Sequence, residues 1–354
     1  MTASNTPTVQ NDEPCRRSQM RAIAQQEYGG PEVLSLQTVP KPVPGAGEVL
    51  LRVHAAAVGA GDWHLMRGKP LFIRPLFGGV LKPRIRTLGA DVAGTVEAIG
   101  AAVTQFQPGD AVFGDLSECG FGAFAEYVCV PELALVPKPE TVSFEMAAAV
   151  AGSGLAALQG LRDMGQIQPG QRVLVNGAGG GVGSLAVQIA KGFGAAVTAV
   201  CSAKKLAMVR SLHPDHILDY THTDFTQTDQ RYDLILDTAA YRSLWNYLPA
   251  LAPGGTYVLV GGGGAQFLQG MVLGPLLGRR RNGQGPANGQ RRVRCLATQP
   301  NQADLLTLRD WLVAGKIAPH IGQRYDLNGV PEAIRHLESG QVTGKAVIRI
   351  LPAE

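Results

Sequence analysis

The 354 residues offer little from which a metal cluster, a disulfide framework or a base-stacking surface could be built. Five cysteines, Cys15, Cys119, Cys129, Cys201 and Cys295, are scattered, with no close pair at zinc-ligand spacing and no dense pattern of a small secreted domain. Reduced thiols in a cytoplasmic protein are the expectation. Aromatic residues make up only 6%, and 32 basic against 28 acidic side chains leave a formal charge of +4. That balance creates no general attraction to nucleic acid, so any basic binding site must be local. Long apolar runs are scarce too. The longest is read as the glycine-diluted Phe267 to Gly278, short of the roughly 18 to 20 residues of a spanning helix, so a chain not integral to a membrane is expected. Residues 1–19 carry neither a signal-peptide apolar core nor a multi-arginine amphipathic pattern, and read as a flexible tail.

What is present suits a folded α/β chain. The 45% apolar content is ordinary for a globular enzyme, and the length favours about two domains. From Met20 to Pro139, short β-branched runs recur between Gly/Pro turns: Arg21 to Gln25, Val33 to Val39, Glu48 to Val58, Asp91 to Ile99, Ala111 to Phe113 and Ala125 to Val130. This rhythm predicts a β-rich domain. After Thr141 helices alternate with wholly apolar runs: Phe144 to Leu161, Arg172 to Asn176, Ser184 to Phe193, Ala196 to Cys201, Lys204 to Leu212, Leu234 to Asp237 and Thr256 to Val260. Continuous apolar strands between helices predict a doubly wound parallel sheet covered on both faces. The tail reads as helix (Asp304 to Ala314), short strand, helix (Val330 to Ser339) and strand (Lys345 to Ile350), a different rhythm that suits a return to the first domain.

The most informative stretch is Arg172-Val-Leu-Val-Asn176, then Gly177-Ala-Gly-Gly-Gly-Val-Gly183, then an amphipathic run from Ser184 to Lys191. Strand, glycine turn and helix in that order form the dinucleotide-binding context, with Ala178, Gly180 and Gly183 at the key spacings. Small residues let backbone amides at the helix start approach a diphosphate. The next strand ends at Cys201 without a carboxylate to bind a ribose hydroxyl. Ser202, Lys204 and Lys205 stand there instead, which favours the 2′-phosphate of NADP(H), although lysines that merely open a solvated helix fit the same pattern.

Several further stretches resemble the medium-chain dehydrogenase/reductase superfamily over nearly the whole chain. They are Met20-Arg-Ala-Ile, Gly89-Ala-Asp-Val-Ala-Gly94, Val96-Glu-Ala-Ile-Gly100, Pro108-Gly-Asp-Ala-Val112, Gly122-Ala-Phe-Ala-Glu-Tyr127 and Thr343-Gly-Lys-Ala-Val347. Within it, 62–68 and 115–121 are similar to the zinc-free quinone oxidoreductase and NADP-dependent alcohol dehydrogenase-like branch, including chloroplast-envelope relatives. The resemblance implies a GroES-like catalytic domain (20–143 and 301–354), a Rossmann domain (144–300) and a cleft between them. It also implies cofactor contacts at Gly180, Gly181 and Val182 (diphosphate), at Ser202, Lys204 and Tyr220 (2′-phosphate), and at Gly261, Gly262, Thr343 and Gly344 (nicotinamide), with Gly179 of the glycine turn counted among the cofactor-binding residues. For Tyr220 simple packing at a strand end is an equal alternative. At the positions that hold zinc in metal-dependent cousins stand Gly59, Ala90 with Asp91, and Val150, so no zinc is expected. A rescue set of His54, Asp62, His64 and Asp91 is weighed against solvated or salt-bridging roles, which are favoured.

Without a Lewis acid, alcohol oxidation is disfavoured relative to reduction of a conjugated C=C or a quinone. The expected activity is hydride transfer from NADPH to an apolar quinone, enone or enal. A zinc-free alcohol dehydrogenase and a non-catalytic NADPH sensor are the alternatives. Asp62, His64 and Arg67 are the candidate catalytic polar groups, with the role of a structural hydrogen-bond acceptor in a turn favoured for Asp62 and a solvent-facing one for His64 kept open. A homodimer is expected from the resemblance. The Leu65–Pro83 segment reads as cleft lining or, secondarily, as a weak peripheral membrane contact, with burial against the second domain ranked first. Arg279, Arg280, Arg281, Arg291, Arg292 and Arg294 flank a Gly/Asn/Gln-rich stretch expected to be a mobile surface loop.

Overall fold

The computed structural model describes residues 18–71, 74–75, 79–261, 269 and 289–351. The expected tail, the stretch 279–288 and Gly262 lie outside them, apart from residues 18 and 19 at the end of that tail.

The first part of the chain is antiparallel. Strand β1 (Gln19–Ala24) pairs with β2 (Ser35–Pro40), whose start is delayed by a short 3-10 turn at Pro31–Val33. A seven-stranded sheet is then built on β3 (Glu48–Val58), which is followed by helix α1 (Ala60–Arg67). It continues through β4 (Asp91–Ile99), β5 (Ala111–Asp115), β6 (Tyr127–Pro131) and the short β7 (Leu135–Pro137). Leu51, Val53, Val92, Val112 and Val130 point into one core together with Phe124.

Helix α2 (Phe144–Gln159), capped by Ser143, joins the two halves and runs on into a π-helical turn, Gly160–Met164. It packs on β3, β4 and β5 on one side and on the second half on the other. Ala147, Ala148, Ala149 and Ala151 are fully buried, and their small side chains allow this close approach on both sides. The helical span Phe144–Met164 is long and apolar enough to cross a membrane, which corrects the reading of 267–278 as the longest apolar run. With 78% of its most apolar window buried inside the protein, it is a core helix.

The second half contains β8 (Arg172–Asn176), α3 (Gly181–Gly192), β9 (Ala196–Cys201), α4 (Leu206–Arg210), β10 (His216–Asp219), β11 (Tyr232–Asp237), α5 (Leu244–Tyr247), β12 (Leu251–Leu259) and β13 (Arg292–Cys295). All six strands are parallel, in the order β10-β9-β8-β11-β12-β13. The direction of progression reverses between β8 and β11, the position where doubly wound sheets open a ligand crevice. Val173, Leu174, Val175, Leu234, Ile235 and Leu236 are all fully buried, as strands covered on both faces require. Strands β7, β10 and β13 had no clear sequence signal. Strand β13 also corrects the mobile-loop reading for part of the arginine cluster: Arg292 and Arg294 belong to an edge strand, and Arg294 Nη1 donates to the Met164 carbonyl at 2.7 Å.

The chain then forms α6 (Gln302–Val313) and returns to the first sheet through β14 (Ile321–Asp326), α7 (Val330–Glu338) and β15 (Lys345–Arg349), which pairs antiparallel with β3. A division at residue 301 places α6 with the first domain. Its Leu305, Leu308 and Leu312 nevertheless share a core with β8 and α3, and Trp311 meets Phe193 edge-on at 5.6 Å, so the helix serves both.

Candidate nucleotide-binding and reaction cleft

A cleft of about 390 Å³ lies at the carboxyl ends of β8, β9, β10 and β11, where the first domain returns across them. Its shape begins with backbone. Gly177 follows β8 with φ 84°, a left-handed conformation that glycine adopts without strain, and its missing side chain makes room for the Thr238 hydroxyl. At Gly183 an added Cβ would fall 2.1 Å from the Gly177 carbonyl oxygen, so the turn closes only because that atom is absent. Gly180 is the N-cap of α3, and no side chain caps this helix start. The amides of the first turn are therefore left to an anion, and the helix dipole favours the same charge.

The return of the first domain locks this turn. The Gly344 amide donates to the Gly179 carbonyl at 3.0 Å, and Gly180 and Gly344 form a parallel bridge. Lys205 Nζ donates to the Val342 carbonyl at 2.6 Å, spanning the same gap. Burial holds its ammonium below the usual lysine range. The neighbouring Cys201 thiol is pushed up to about 11, chiefly by burial and next by Asp219, so it stays neutral near pH 7.

Of the residues expected to bind cofactor, Gly179, Gly180, Gly181, Val182, Ser202, Lys205, Tyr220 and Gly344 line this cleft. Ala178 and Gly183 are buried within the turn and shape it from behind. Lys204 is exposed outside the lining, and Thr343 is half-buried beside it. Gly261 accepts from the Ala240 amide and shapes the loop after β12 without lining the cleft. The structure adds Val58, Gly59, Ala60, Ser153, Thr238, Ala239 and Lys345. Thr238 and Ala239 follow β11, so the strand-end rule could have found them from the apolar run before them. Ser153 sits inside an apolar helix and gave no signal.

The three catalytic candidates need correction, because none lines the cleft. Asp62 is buried in the first turn of α1, where Oδ2 accepts from the Gly59 amide at 2.8 Å and Oδ1 from the Gly89 amide at 2.9 Å. It is a cap that joins two loops, and burial raises its pKa to about 7. His64 stacks on Trp63 at 3.7 Å with Nδ1 2.9 Å from the Lys69 carbonyl, and burial lowers its pKa. Arg67 forms a bidentate pair with Glu338 of α7, with Nη2 2.7 Å from Oε2.

At the cleft floor Lys345 Nζ lies 2.7 Å from Asp91 Oδ2, and Asp91 Oδ1 accepts from the Gly152 amide at 2.7 Å. Asp115, opposite Asp91 on β5, is pushed up to about 6 by burial and by the Asp91 charge. Among the described residues no three His, Cys, Asp or Glu side chains gather where they could hold a metal ion. Gly59, Ala90 and Val150 have no donor side chain, and both oxygens of Asp91 are committed. His54 is also engaged, with Nε2 3.1 Å from the Thr95 hydroxyl. These residues do not fit a zinc ion. They do fit a dinucleotide, through the uncapped helix start and the small-residue cradle.

A larger hollow of about 600 Å³ opens at the opposite end of the parallel sheet, among Arg162, Gln168, Asp233 and Arg292. It faces the amino ends of the strands, away from the α3 start, and lacks the geometry that serves phosphates.

The geometry agrees with comparisons to known proteins. Residues 45–140 match the alcohol dehydrogenase GroES-like domain, and residues 212–348 match a family described as zinc-binding dehydrogenase. The chain is 32% identical to a 2-methylene-furan-3-one reductase of Solanum lycopersicum, covering 95% of this chain and 80% of that protein. It is 30% identical to an NADPH-dependent alkenal/one oxidoreductase of Arabidopsis thaliana, covering 94% and 80%. The solved quinone oxidoreductase of Coxiella burnetii superposes with a TM-score of 0.81 at 27% identity, over 94% of this chain and all of that one. A parallel sheet with an open helix start at its switch point, closed by a GroES-like domain, places this chain in the medium-chain dehydrogenase/reductase superfamily, in its quinone oxidoreductase branch, as an oxidoreductase that uses a nicotinamide cofactor.

Proposed function

We propose that the chain is a metal-free, NADPH-dependent reductase of quinones or α,β-unsaturated carbonyl compounds. The observation that carries this reading is the meeting of the uncapped α3 start with a cleft wall made of Val58, Gly59 and Ala60, which bear no metal-binding side chain. Bound NADPH supplies hydride. The protein's part is to hold the diphosphate on the amides of 180–182, to set the cofactor between Ser153 and the 238–239 turn, and to present an apolar wall to the acceptor. Ser202, Lys205 and Tyr220 support the preference for a 2′-phosphate: they offer a hydroxyl, an ammonium and a phenol, with no carboxylate at the end of β9. Similarity to an alkenal/one oxidoreductase and to a quinone oxidoreductase supports the acceptor class. Among the described residues β13 is the last strand of the parallel sheet, which supports a homodimer formed through the Rossmann sheets.

The test is the decay of NADPH absorbance with an enal, a quinone and a simple ketone, before and after chelator treatment. The reading expects turnover of the first two and no loss on chelation. Turnover of the ketone alone would replace it with an alcohol dehydrogenase, and binding of NADPH with no turnover would replace it with a sensor.

A further inference from the structure

The hollow of about 600 Å³ at the amino ends of the parallel strands shares no lining residue with the nucleotide cleft. One wall comes from the π-helical turn Gly160–Met164 and the residues just after it, and such widened turns recur at functional sites. An added Cβ at Gly165 would fall 2.7 Å from Leu234 Cδ2, so the chain is pressed directly onto β11 there. From Leu234 the sheet continues outward in register: Leu234 pairs with Thr256 of β12, and Thr256 with Arg292 of β13. Register partners on neighbouring strands stand about 4.8 Å apart and point to the same face. Thr256 and Arg292, both in the lining, therefore enter the hollow side by side.

The arginines around Arg292 are committed. Arg162 is held by Asp163 and Asp304, Arg172 lies 3.9 Å from Asp233, and Arg294, two residues along β13, donates to the Met164 carbonyl at 2.7 Å. Arg292 is half-buried and has neither an ion pair nor a hydrogen bond from its side chain among the described residues. Thr256 is 4% exposed, and its hydroxyl likewise has no partner among the described residues. Burying a hydroxyl without a hydrogen bond costs free energy, so buried hydroxyls are as a rule satisfied. Gln25 Oε1 is the one fully sealed side-chain polar atom without a partner among the described residues, so the Thr256 hydroxyl is reached from the hollow it lines.

We infer that this hollow is a second ligand site, for a polyhydroxylated monocarboxylate of the sugar-acid class. A carboxylate accepts two parallel hydrogen bonds from the planar Arg292 guanidinium and a third from the Thr256 hydroxyl. The rest of the lining is rich in amide and carboxylate groups, from Gln166, Gln168, Gln171 and Asp233, with Ile167, 6% exposed, as its large aliphatic member. Side-chain amides both donate and accept, which matches alcohol hydroxyls and offers an apolar ligand little to bury against. Asp233 Oδ2 accepts from the Arg172 amide at 2.8 Å, while Oδ1 has no partner among the described residues. That oxygen can accept from one more hydroxyl, and its charge opposes a second carboxylate on the ligand. Phosphate is a poorer match, since no helix start aims its amides into this hollow. The inference does not rest on the proposed reductase function.

The test is calorimetric titration of the full chain with sodium gluconate, beside glucose, which lacks the carboxylate, and inorganic phosphate. Gluconate is expected to bind, with glucose and phosphate roughly tenfold weaker or more. Arg292→Ala should weaken gluconate binding roughly tenfold or more, and Thr256→Val roughly threefold to tenfold, both with the thermal midpoint of wild type. Arg292→Lys keeps the stem and the charge without the planar fork, so it stays folded and should recover only part of the loss. No heat with gluconate in folded protein, equal uptake of glucose, tighter uptake of phosphate, or full affinity in Arg292→Lys overturns the inference. None of these readouts involves NADPH or turnover, so failure here and failure of the reductase reading are separately visible.

Discussion

Lys345, near the end of the chain, and Asp91, from its first third, form an ion pair of 2.7 Å beneath the cleft, with side-chain exposures of 4% and 7%. Asp91 also accepts from Gly152 of α2, and the Lys345 amide donates to the His320 carbonyl at 2.8 Å. The pair thus joins β4, α2 and β15 at the point where the first domain crosses the nucleotide turn.

Removing one partner leaves the other charge buried without compensation. Lys345→Met should lower stability by about 3–5 kcal/mol, measured by denaturant unfolding. Asp91→Asn added to Lys345→Met should recover part of that loss, because it removes the stranded carboxylate. A single variant as stable as wild type would show that the pair holds nothing together.

Asp115 makes stability depend on pH. Its carboxyl is raised to about 6 by burial and by Asp91, against an ordinary value of 3.8. A raised carboxyl binds its proton more tightly in the folded state. Its contribution is therefore full below about pH 4 and is lost as pH rises through about 6, with a size of about 3 kcal/mol at most. Asp115→Asn retains an acceptor for the Ser117 amide and should flatten the stability profile between those limits. An unchanged slope in unfolding midpoints across this window would refute the assignment.

Gly183→Ala places a Cβ where only 2.1 Å separates it from the Gly177 carbonyl oxygen, in a backbone that has little room to give. The turn must open and the amides of 180–182 lose their shared aim. NADPH affinity should fall roughly tenfold or more, since the anion loses the helix-start interaction and its hydrogen bonds. Calorimetric titration measures this directly, and a thermal midpoint measured alongside separates it from unfolding.

Ser202 stands at the end of β9 and Lys205 one short turn later, both in the cleft lining. Ser202→Asp should reduce the ratio of NADPH to NADH affinity by roughly tenfold or more, because a carboxylate repels the extra phosphate and can accept from a ribose hydroxyl. Lys204→Ala should change the ratio much less, since that side chain is exposed outside the lining.

The glycine turn and its strand were legible because both obey strict local demands. Backbone approach admits only small residues at 177–183, and a strand covered on both faces must be apolar from Val173 to Val175. Side-chain roles set by distant partners were not legible. Nothing local to Arg67 announces Glu338, 271 residues away, and nothing beside Asp62 announces the Gly89 amide that occupies its second oxygen. Lys345 stands in the Thr343–Val347 stretch, yet nothing local to it announces Asp91, which reaches it only because the fold brings β15 and β4 together over α2. Strand β13 was hidden because two of its four residues are arginine, which an edge strand tolerates and a central one does not.

The most direct test of the account is calorimetric titration of the full chain with NADPH and with NADH. The account predicts uptake of both nucleotides, tighter for NADPH, and a loss of affinity in Gly183→Ala. Absence of heat and of competition with either nucleotide, in protein shown to be folded, would contradict it.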